Sequence, residues 1–409
     1  MMGKIFVGVD GGYEAHVCVA LNESEQVIWQ EEIVNDHAGC DRVLDRVREW
    51  QAAGSEVWVG AEGIGGYLSP WDARLIEGGC RYVNIPALQV KRFREAIFFQ
   101  ADKDDEKDAF VIAKILHWQV VNGQARVSKK KGAYFETLKE TARAFTRISE
   151  SKVAAQNQLV NAVRTYWPEL VITGGYFSRM DGAGFLTLLS NYPTPGAVSR
   201  AGRSRIRKLL SHATRSDQTE LADRLVSEAR LLRKVVEVPA PKARLVQNLA
   251  ESVLGLSQVV KALATELEEQ LEQHPFGAWL LEQKGIGPRT AGCFLGEAGD
   301  LGRFEGEEKL ARYAGTGAVK SQSGKSAGHH WDGHRYNHRL KRALLLMAQC
   351  RAREHAPSSE YVRARQHSKK EYWKTIKKLA RHLVRFLWRS WRKVVEIQHQ
   401  ADYKSTQKA

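Results

Sequence analysis

Four carboxylates have the residue types and the places that chemistry requires. Asp10 closes the apolar run Ile5-Phe6-Val7-Gly8-Val9, Glu62 closes Val57-Trp58-Val59-Gly60-Ala61, and Asp105 and Asp108 stand three apart where a helical pattern begins. That spacing puts both aspartates on one helix face. Carboxylates converging at strand ends supply the oxygen donors that a hard cation such as Mg²⁺ requires. Two such ions roughly 3.5 to 4 Å apart activate a nucleophile and stabilise the leaving oxygen in phosphodiester cleavage. Each residue also has an ordinary explanation. Asp10-Gly11-Gly12 is good turn chemistry, and the acidic stretch Asp102 to Asp108 suits a solvated helix start. The four together, in this order, favour the metal-binding reading.

The elements around them alternate. Ile5 to Asp10, His16 to Leu21 and Val27 to Trp29 read as a meander of three short strands. A helix near Ala38 to Ala52 follows, with Val43, Leu44 and Val47 on one face, then a strand from Val57 to Glu62. A helix near Leu68 to Glu77, a strand Tyr82 to Ile85 and helices from about Leu88 and Asp105 complete an α/β layered domain over residues 1–130. From about Tyr134 the pattern changes to long helices, beginning with Thr137 to Tyr166 and broken by a Gly/Pro-punctuated stretch from Gly174 to Gly202. Val246, Leu249, Val253, Leu256, Val260, Leu263 and Leu267 then step by 3 and 4, a coiled-coil seam that packs on another helix of the chain or of a second subunit. No polar residue interrupts it, which favours self-association. His274-Pro275 marks a boundary, so residues 131–274 form a helical linker and oligomerisation region and 275–409 a mainly α, basic domain.

Composition narrows the classes. The 409 residues are 43% hydrophobic and 27% charged, ordinary for a globular chain and against wholesale disorder. No apolar run approaches the roughly 20 residues that span a bilayer, and the first residues read as a strand rather than a signal peptide, so a cytoplasmic protein with no membrane association is expected. The five cysteines are scattered without a CxxC pair, as suits reduced thiols. Net charge is +15, and its location is telling: Lys320 to Ala409 hold 22 Lys and Arg against 6 Asp and Glu, while the preceding 319 residues sum to −1. A basic concentration of this kind fits a polyanion, most often nucleic acid. Within it, Ile376, Leu379, Leu383 and Leu387 form an apolar stripe that leaves Lys374, Lys377, Lys378, Arg381, Arg385 and Arg389 for a partner. Lys91, Arg289, Lys320, Lys325, Arg335 and Arg339 join them as candidate nucleic-acid contacts. Gly285-Ile286-Gly287 reads either as a helix-hairpin-helix turn whose backbone approaches a phosphate or as an ordinary glycine turn. His330 and His334 are four apart but lack the partners of a zinc site, so phosphate-contacting histidines fit better.

The segments VGVDGGYEAHVCVA, VGAEGIGGY, VNIPALQVKRF and ADKDDEKDAFVIA resemble the N-terminal half of the DEDD transposases of insertion-sequence family 110, described as bridge-RNA-guided recombinases. The resemblance implies an RNase H/RuvC-like domain whose tetrad, here Asp10, Glu62, Asp105 and Asp108, binds Mg²⁺ or Mn²⁺; the cluster also contains Asp102 and Asp104. GIGPRTAGCFLGEAGDLGRF, KLARYAGTGAVKSQSGKSAGHH and HRLKRALLLMA are similar to the family's transposase domain, in which a serine beside a glycine is the nucleophile. By that likeness the serine is Ser323, with Ser321 in reserve, in an active site composed jointly with the tetrad. The resemblance further implies donor and target DNA, a noncoding guide RNA, and a homo-oligomer, dimeric and then tetrameric in the synaptic complex. The segment from His329 to His338 departs from the small basic segment usual after the serine, so local nucleic-acid contacts differ. Two other readings have their own signatures. A RuvC-like structure-selective nuclease needs the tetrad but not Ser323, and a non-catalytic RNA or DNA scaffold needs the basic tail alone.

Overall fold

A computed structural model describes residues 3–62, 69–98, 105–128, 133–172, 175–321, 329–332, 336–365 and 369–406. The chain divides into two compact units, Met1–Gly132 and Ala133–Ala409.

Alternation of side chains builds the first unit. Strands β1 (Lys4–Gly11), β2 (Ala15–Leu21) and β3 (Val27–Val34) form an antiparallel meander; β4 (Glu56–Glu62) runs parallel to β1 and β5 (Arg81–Ile85) parallel to β4. The sheet order is β3-β2-β1-β4-β5. Because successive strand residues point to opposite faces, two separate cores arise. Ile5, Val7, Val9, Cys18, Ala20, Val57, Val59 and Tyr82 bury one face against helices α1 (His37–Ala52) and α2 (Ser69–Glu77). Phe6, Val19, Leu21, Val83 and Ile85 bury the other against α3 (Ala87–Phe98) and α4 (Asp105–Val121). The expected α/β layering is present, as a five-stranded mixed sheet. Strand β3 runs five residues past the expected Trp29. It is an edge strand with only Ile33 fully buried, so its Gln30, Glu31 and Glu32 carry no apolar signal.

Helices make the second unit. The frame is α5 (Ala133–Arg164) against α9 (Ala240–Glu272), antiparallel, since Tyr134 Oη donates to Gln270 O at 3.0 Å near one end and Lys242 meets Thr165 Oγ1 at the other. The α9 seam is thus met inside the chain: Val246, Val253 and Leu267 are fully buried, Leu249, Val260 and Leu263 partly. Around one end of the pair, α6 (Ala183–Asn191), α7 (Pro195–Thr214) and α8 (Thr219–Leu232) close a core centred on Trp167, Phe185 and Leu225. Around the other, α10 (Pro275–Leu281), α11 (Pro288–Ala298), α12 (Glu307–Tyr313), α13 (His338–Glu354), α14 (Ala356–Arg363) and α15 (Lys369–Thr406) close a second core. That core takes Leu138, Ala142 and Phe145 from α5 and Leu267 and Leu271 from α9. A two-stranded hairpin, β6 (Ala318–Ser321) with β7 (His329–Asp332), interrupts the helices.

The stretch from Gly174 to Gly202, expected to interrupt the helices, contains α6 and the start of α7. Pro195 occupies the first turn of α7, where its missing N–H removes no bond, and Thr194 caps it through Ala197 N at 3.1 Å. Gly202, at φ +74°, is the kink between two helical segments rather than an end. Among the described residues, no helix is long and apolar enough to cross a membrane.

His274 caps α10 and makes this core sensitive to pH. Its Nδ1 accepts from the backbone N–H groups of Phe276 (3.2 Å) and Gly277 (3.4 Å), and its ring stacks on Tyr134. Burial holds its pKa below the ordinary 6.5, against a smaller opposing pull from Asp300. Only the neutral ring accepts. The folded state therefore binds this proton less readily than the unfolded state, and the stabilisation, full above the unfolded value, is lost as pH falls through the folded one. Asparagine caps without titrating, so His274→Asn should lose less thermal stability than wild type between about pH 7.5 and about pH 5.5. Equal losses in melts at the two pH values would remove His274 from the account.

Candidate functional site

Two glycines place the carboxylates. Gly8 of β1 pairs with Gly60 of β4 across the parallel register. Both face α4: a Cβ on Gly8 would stand 2.2 Å from the Ala109 carbonyl oxygen and 2.5 Å from the Ala113 nitrogen, and one on Gly60 3.2 Å from Leu116 Cδ2. The helix therefore rests on strand backbone. Two residues further along each strand, on the same face, come Asp10 and Glu62, each one residue past the Val9↔Ala61 pair and both half-buried. Asp108 directly precedes Ala109, so the seating of α4 on Gly8 brings Asp108 to that face, where it is only 2% exposed. Asp105 lies one turn earlier and is exposed. With Asp105, Glu106 and Asp108 in its first turn, α4 presents its positive dipole end to its own acids.

Asp108 has a partner that the sequence does not announce. Arg94 of α3 places Nη1 at 2.5 and 2.6 Å from the two carboxylate oxygens, with both side chains largely buried. The donor set of Asp10, Glu62 and Asp108 fits a hard divalent cation in kind, all carboxylate oxygen with no soft ligand. Among the described residues, however, no three of His, Cys, Asp and Glu are gathered as closely as such an ion would gather them. Asp102 and Asp104 lie outside the described residues.

In the second unit, Ser323 and Lys325 belong to the connection between β6 and β7 and lie outside the described residues, as do Arg335 and His334. The hairpin register, Ala318↔Asp332 through Ser321↔His329, brackets that connection and puts Ser321 at the last strand pair; Lys320 pairs with His330. The chain leaves the hairpin into a buried polar network that sequence reasoning missed. Asn337 caps α13 by accepting from Leu340 N (3.0 Å) and donates to Glu297 Oε2 (2.9 Å) and Tyr313 Oη (3.3 Å). Glu297, buried in α11, receives Arg143 of α5 fork to fork, Nε at 2.7 Å and Nη2 at 3.2 Å. Burial pushes the Glu297 carboxyl up, but the Arg143 guanidinium, the Asn337 amide and Arg339 outweigh it and hold it below the usual range. The visible signals are a lone glutamate in PRTAGCFLGEA and an asparagine before an apolar helix.

The predicted basic contacts fall in several places. Arg289 and Arg339 line one cleft of about 410 Å³ together with Arg147 and Arg342, which the sequence did not single out; Arg342 pairs with Glu150, and Arg289 lies over the Phe145 ring. On α15, Ile376, Leu379, Leu383 and Leu387 are buried and Lys374, Lys377, Lys378 and Arg381 exposed, whereas Arg385 and Arg389 turn to Glu307. Lys91 faces Glu95 at 3.9 Å. Gly285 has a packing reason: at φ +77°, its Cβ would stand 2.7 Å from Arg351 Cα, and Arg351 Nη1 donates to Lys284 O at 2.9 Å.

Comparison with known proteins adds two family matches. Residues 7–168 match the DEDD transposase profile of the IS110 group, described as Transposase, and residues 278–363 match one described as Transposase IS116/IS110/IS902 family. Three relatives align over most of their lengths. The chain is similar to the insertion element IS116 uncharacterized 44.8 kDa protein of Streptomyces clavuligerus, 26% identical over 94% of each chain. It is similar to the insertion element IS900 uncharacterized 42 kDa protein of Mycobacterium paratuberculosis, 24% identical over 95% of this chain and 96% of that one. It is also similar to the insertion element IS110 uncharacterized 43.6 kDa protein of Streptomyces coelicolor, 27% identical over 94% and 93% respectively.

The glycine seat is open to direct test. Gly8→Ala sets a methyl against helix backbone that cannot swing away, so it should destabilise by about 4 kcal/mol or more, in the exceptional range for one substitution. Gly3→Ala, with nothing within 4 Å, should stay within about 0.5 kcal/mol of wild type. Urea unfolding of the two variants side by side decides; a Gly8→Ala curve matching wild type would mean that α4 does not sit on β1.

Proposed function

The chain belongs to the IS110 family of insertion-element transposases, and on that premise we propose that it cuts and rejoins DNA strands with a carboxylate site and a serine nucleophile, at places chosen by a noncoding RNA. The observation that carries the reading is that Asp10 and Glu62 each follow the paired Val9 and Ala61 on the face that seats α4, within the residues matched to the DEDD profile. It supports the RNase H/RuvC-like arrangement that the resemblance implies.

In the proposed reaction Ser323 Oγ attacks the phosphorus of a DNA phosphodiester. A serine O–P bond forms, the bridging P–O bond to one sugar breaks, and the freed sugar oxygen takes up a proton. The serine proton passes to a carboxylate of the Asp10, Glu62, Asp105 and Asp108 set, since a hydroxyl is a weak nucleophile without a base. Attack on the same phosphorus by a hydroxyl of a second strand then reverses the first step and joins the new pair. A divalent cation, Mg²⁺ or Mn²⁺, would be held by the Asp10, Glu62, Asp105 and Asp108 set and would supply Lewis-acid stabilisation of the charge that builds on the phosphate oxygens. Guidance is a division of labour: base pairing between the RNA and donor and target DNA selects sequence, while the protein reads backbone and shape. The basic cleft at Arg147, Arg289 and Arg339 and the exposed α15 lysines support a phosphate-binding surface. Assembly as a dimer and then a tetramer brings the strands together. The half-exposed apolar residues at the middle of the α5–α9 pair, Val153 and Val259, favour such contacts.

The experiment is to purify the protein from cells carrying the noncoding DNA that flanks its element, extract bound nucleic acid, and incubate the complex with Mg²⁺ and junction DNA. A discrete RNA should co-purify and the wild type should become covalently attached to DNA. Ser323→Ala should form no adduct, and Asp10→Asn and Glu62→Gln should slow cleavage by at least on the order of a hundredfold, since even outer-shell changes at metal sites cost about ten- to a hundredfold. Normal joining by Ser323→Ala would replace the serine mechanism with hydrolytic nuclease chemistry, and function intact in Asp10→Asn would leave a binding protein.

A further inference from the structure

Two buried arginine–carboxylate pairs in this chain are built differently. Arg143 meets Glu297 fork to fork, two nitrogens to two oxygens, the geometry in which a guanidinium binds a carboxylate best. Arg94 meets Asp108 with one nitrogen, Nη1, set between both oxygens, while its Nε, also buried, has no hydrogen-bond partner among the described residues. A single positive centre chelated by both oxygens of one carboxylate is how a cation sits, and the leftover Nε makes the pairing less than the best that this arginine can form. Neither Phe93 nor the buried Val90, its neighbours on α3, has a polar group to offer in exchange.

We propose that Arg94 is a displaceable counter-cation at Asp108, a positioning residue that competes with the divalent cation and is drawn off by a phosphate of the DNA strand. The inference rests on the carboxylate reading above. While Nη1 occupies both Asp108 oxygens, those lone pairs are closed to a metal, so the apparent affinity for the ion is lowered by the fraction of molecules in which Arg94 has let go. Two oxygens of a phosphate can receive a guanidinium in full fork geometry, with the Nε that Asp108 leaves unpartnered as one of the donors. Strand binding therefore frees Asp108, and by linkage the strand and the cation each tighten the other. The acidic face would load its ion with DNA in place rather than before it.

The test measures Mn²⁺ binding directly, by calorimetry and by the electron paramagnetic resonance signal of free ion, on the full chain with and without a short oligonucleotide. Arg94→Gln should bind Mn²⁺ about tenfold more tightly than wild type without DNA, the scale on which neighbours of metal ligands act. Its metal-free melting temperature should fall, because Asp108 is left buried without its partner. Arg94→Lys, which keeps the charge, should stay within about twofold of wild type. The oligonucleotide should tighten Mn²⁺ binding in wild type and leave Arg94→Gln unmoved. Equal Mn²⁺ affinities in wild type and Arg94→Gln would overturn the proposal while leaving the carboxylate site standing. No Mn²⁺ binding in either would overturn it together with the metal reading. Wild type answers the question even if Arg94→Gln does not fold: backbone amide exchange across α3 should quicken when Mn²⁺ is added, as its tether to α4 is released, and unchanged or slower exchange would sink the idea.

Discussion

The acidic face of the first unit depends on one close approach, that of α4 to strand backbone at Gly8 and Gly60. A side chain at Gly8 would run into helix backbone and force the helix away, whereas one at Gly60 would crowd the Leu116 side chain, and packed interiors have little slack to absorb either. The helix contributes small residues in return, Ala109 and Ala113, whose backbone atoms are the ones that Gly8 admits. The geometry of Asp10, Glu62 and Asp108 follows from this contact: the first two are set by strand register, and the third by where along α4 the contact falls. The carboxylates are thus placed by elements whose packing is apolar and rigid, while the charges themselves do little of the holding.

The second unit solves a different problem, how to fix a hairpin among helices. The connection back from β7 is tied at Asn337, which satisfies the N-terminus of α13 and at the same time reaches Glu297 and Tyr313. Glu297 is buried and tolerable there because Arg143 covers both its oxygens. Breaking one member of such a buried network leaves the others without partners, which is why networks of this kind rigidify the segments that they join. The hairpin therefore leaves and enters the helical core at fixed points, α12 before it and α13 after it.

Much of this was legible in the residues, and the exceptions share a cause. Helix α1 was read as Ala38 to Ala52 and is His37–Ala52, because Val43, Leu44 and Val47 repeat with the helical period and Asp36 caps the start. The α15 stripe from Ile376 to Leu387 is visible for the same reason. What stayed hidden depends on tertiary neighbours. Nothing in ALQVKRFREAIF separates Arg94, which reaches Asp108, from Arg92, which is exposed with no such contact among those described. Nothing in the two apolar runs marks Gly8 and Gly60 as the seat of a helix. The seam of α9 fitted a partner helix in the chain or beyond it, and periodicity alone could not prefer α5, more than a hundred residues upstream. The short strands β6 and β7 lack the alternation that marks a strand and so gave no signal.

The two cores at the ends of the α5–α9 pair are nested along the chain. The inner one draws on Leu159 to Val253 without interruption, and the outer one on Leu138 to Phe145 and then on residues from Leu267 to Leu387. As the polypeptide leaves the ribosome, the inner core has all its parts once α9 has emerged, and it can clamp the far ends of both long helices early. The near end of α5 must wait with Leu138, Ala142 and Phe145 uncovered until α9 and α11 have been made. At a synthesis rate of about 5 to 20 residues per second, that leaves an apolar helix face open for several seconds at least. A message cut short before α15 would yield a chain whose outer core never closes, a product marked for chaperones or proteases rather than for DNA.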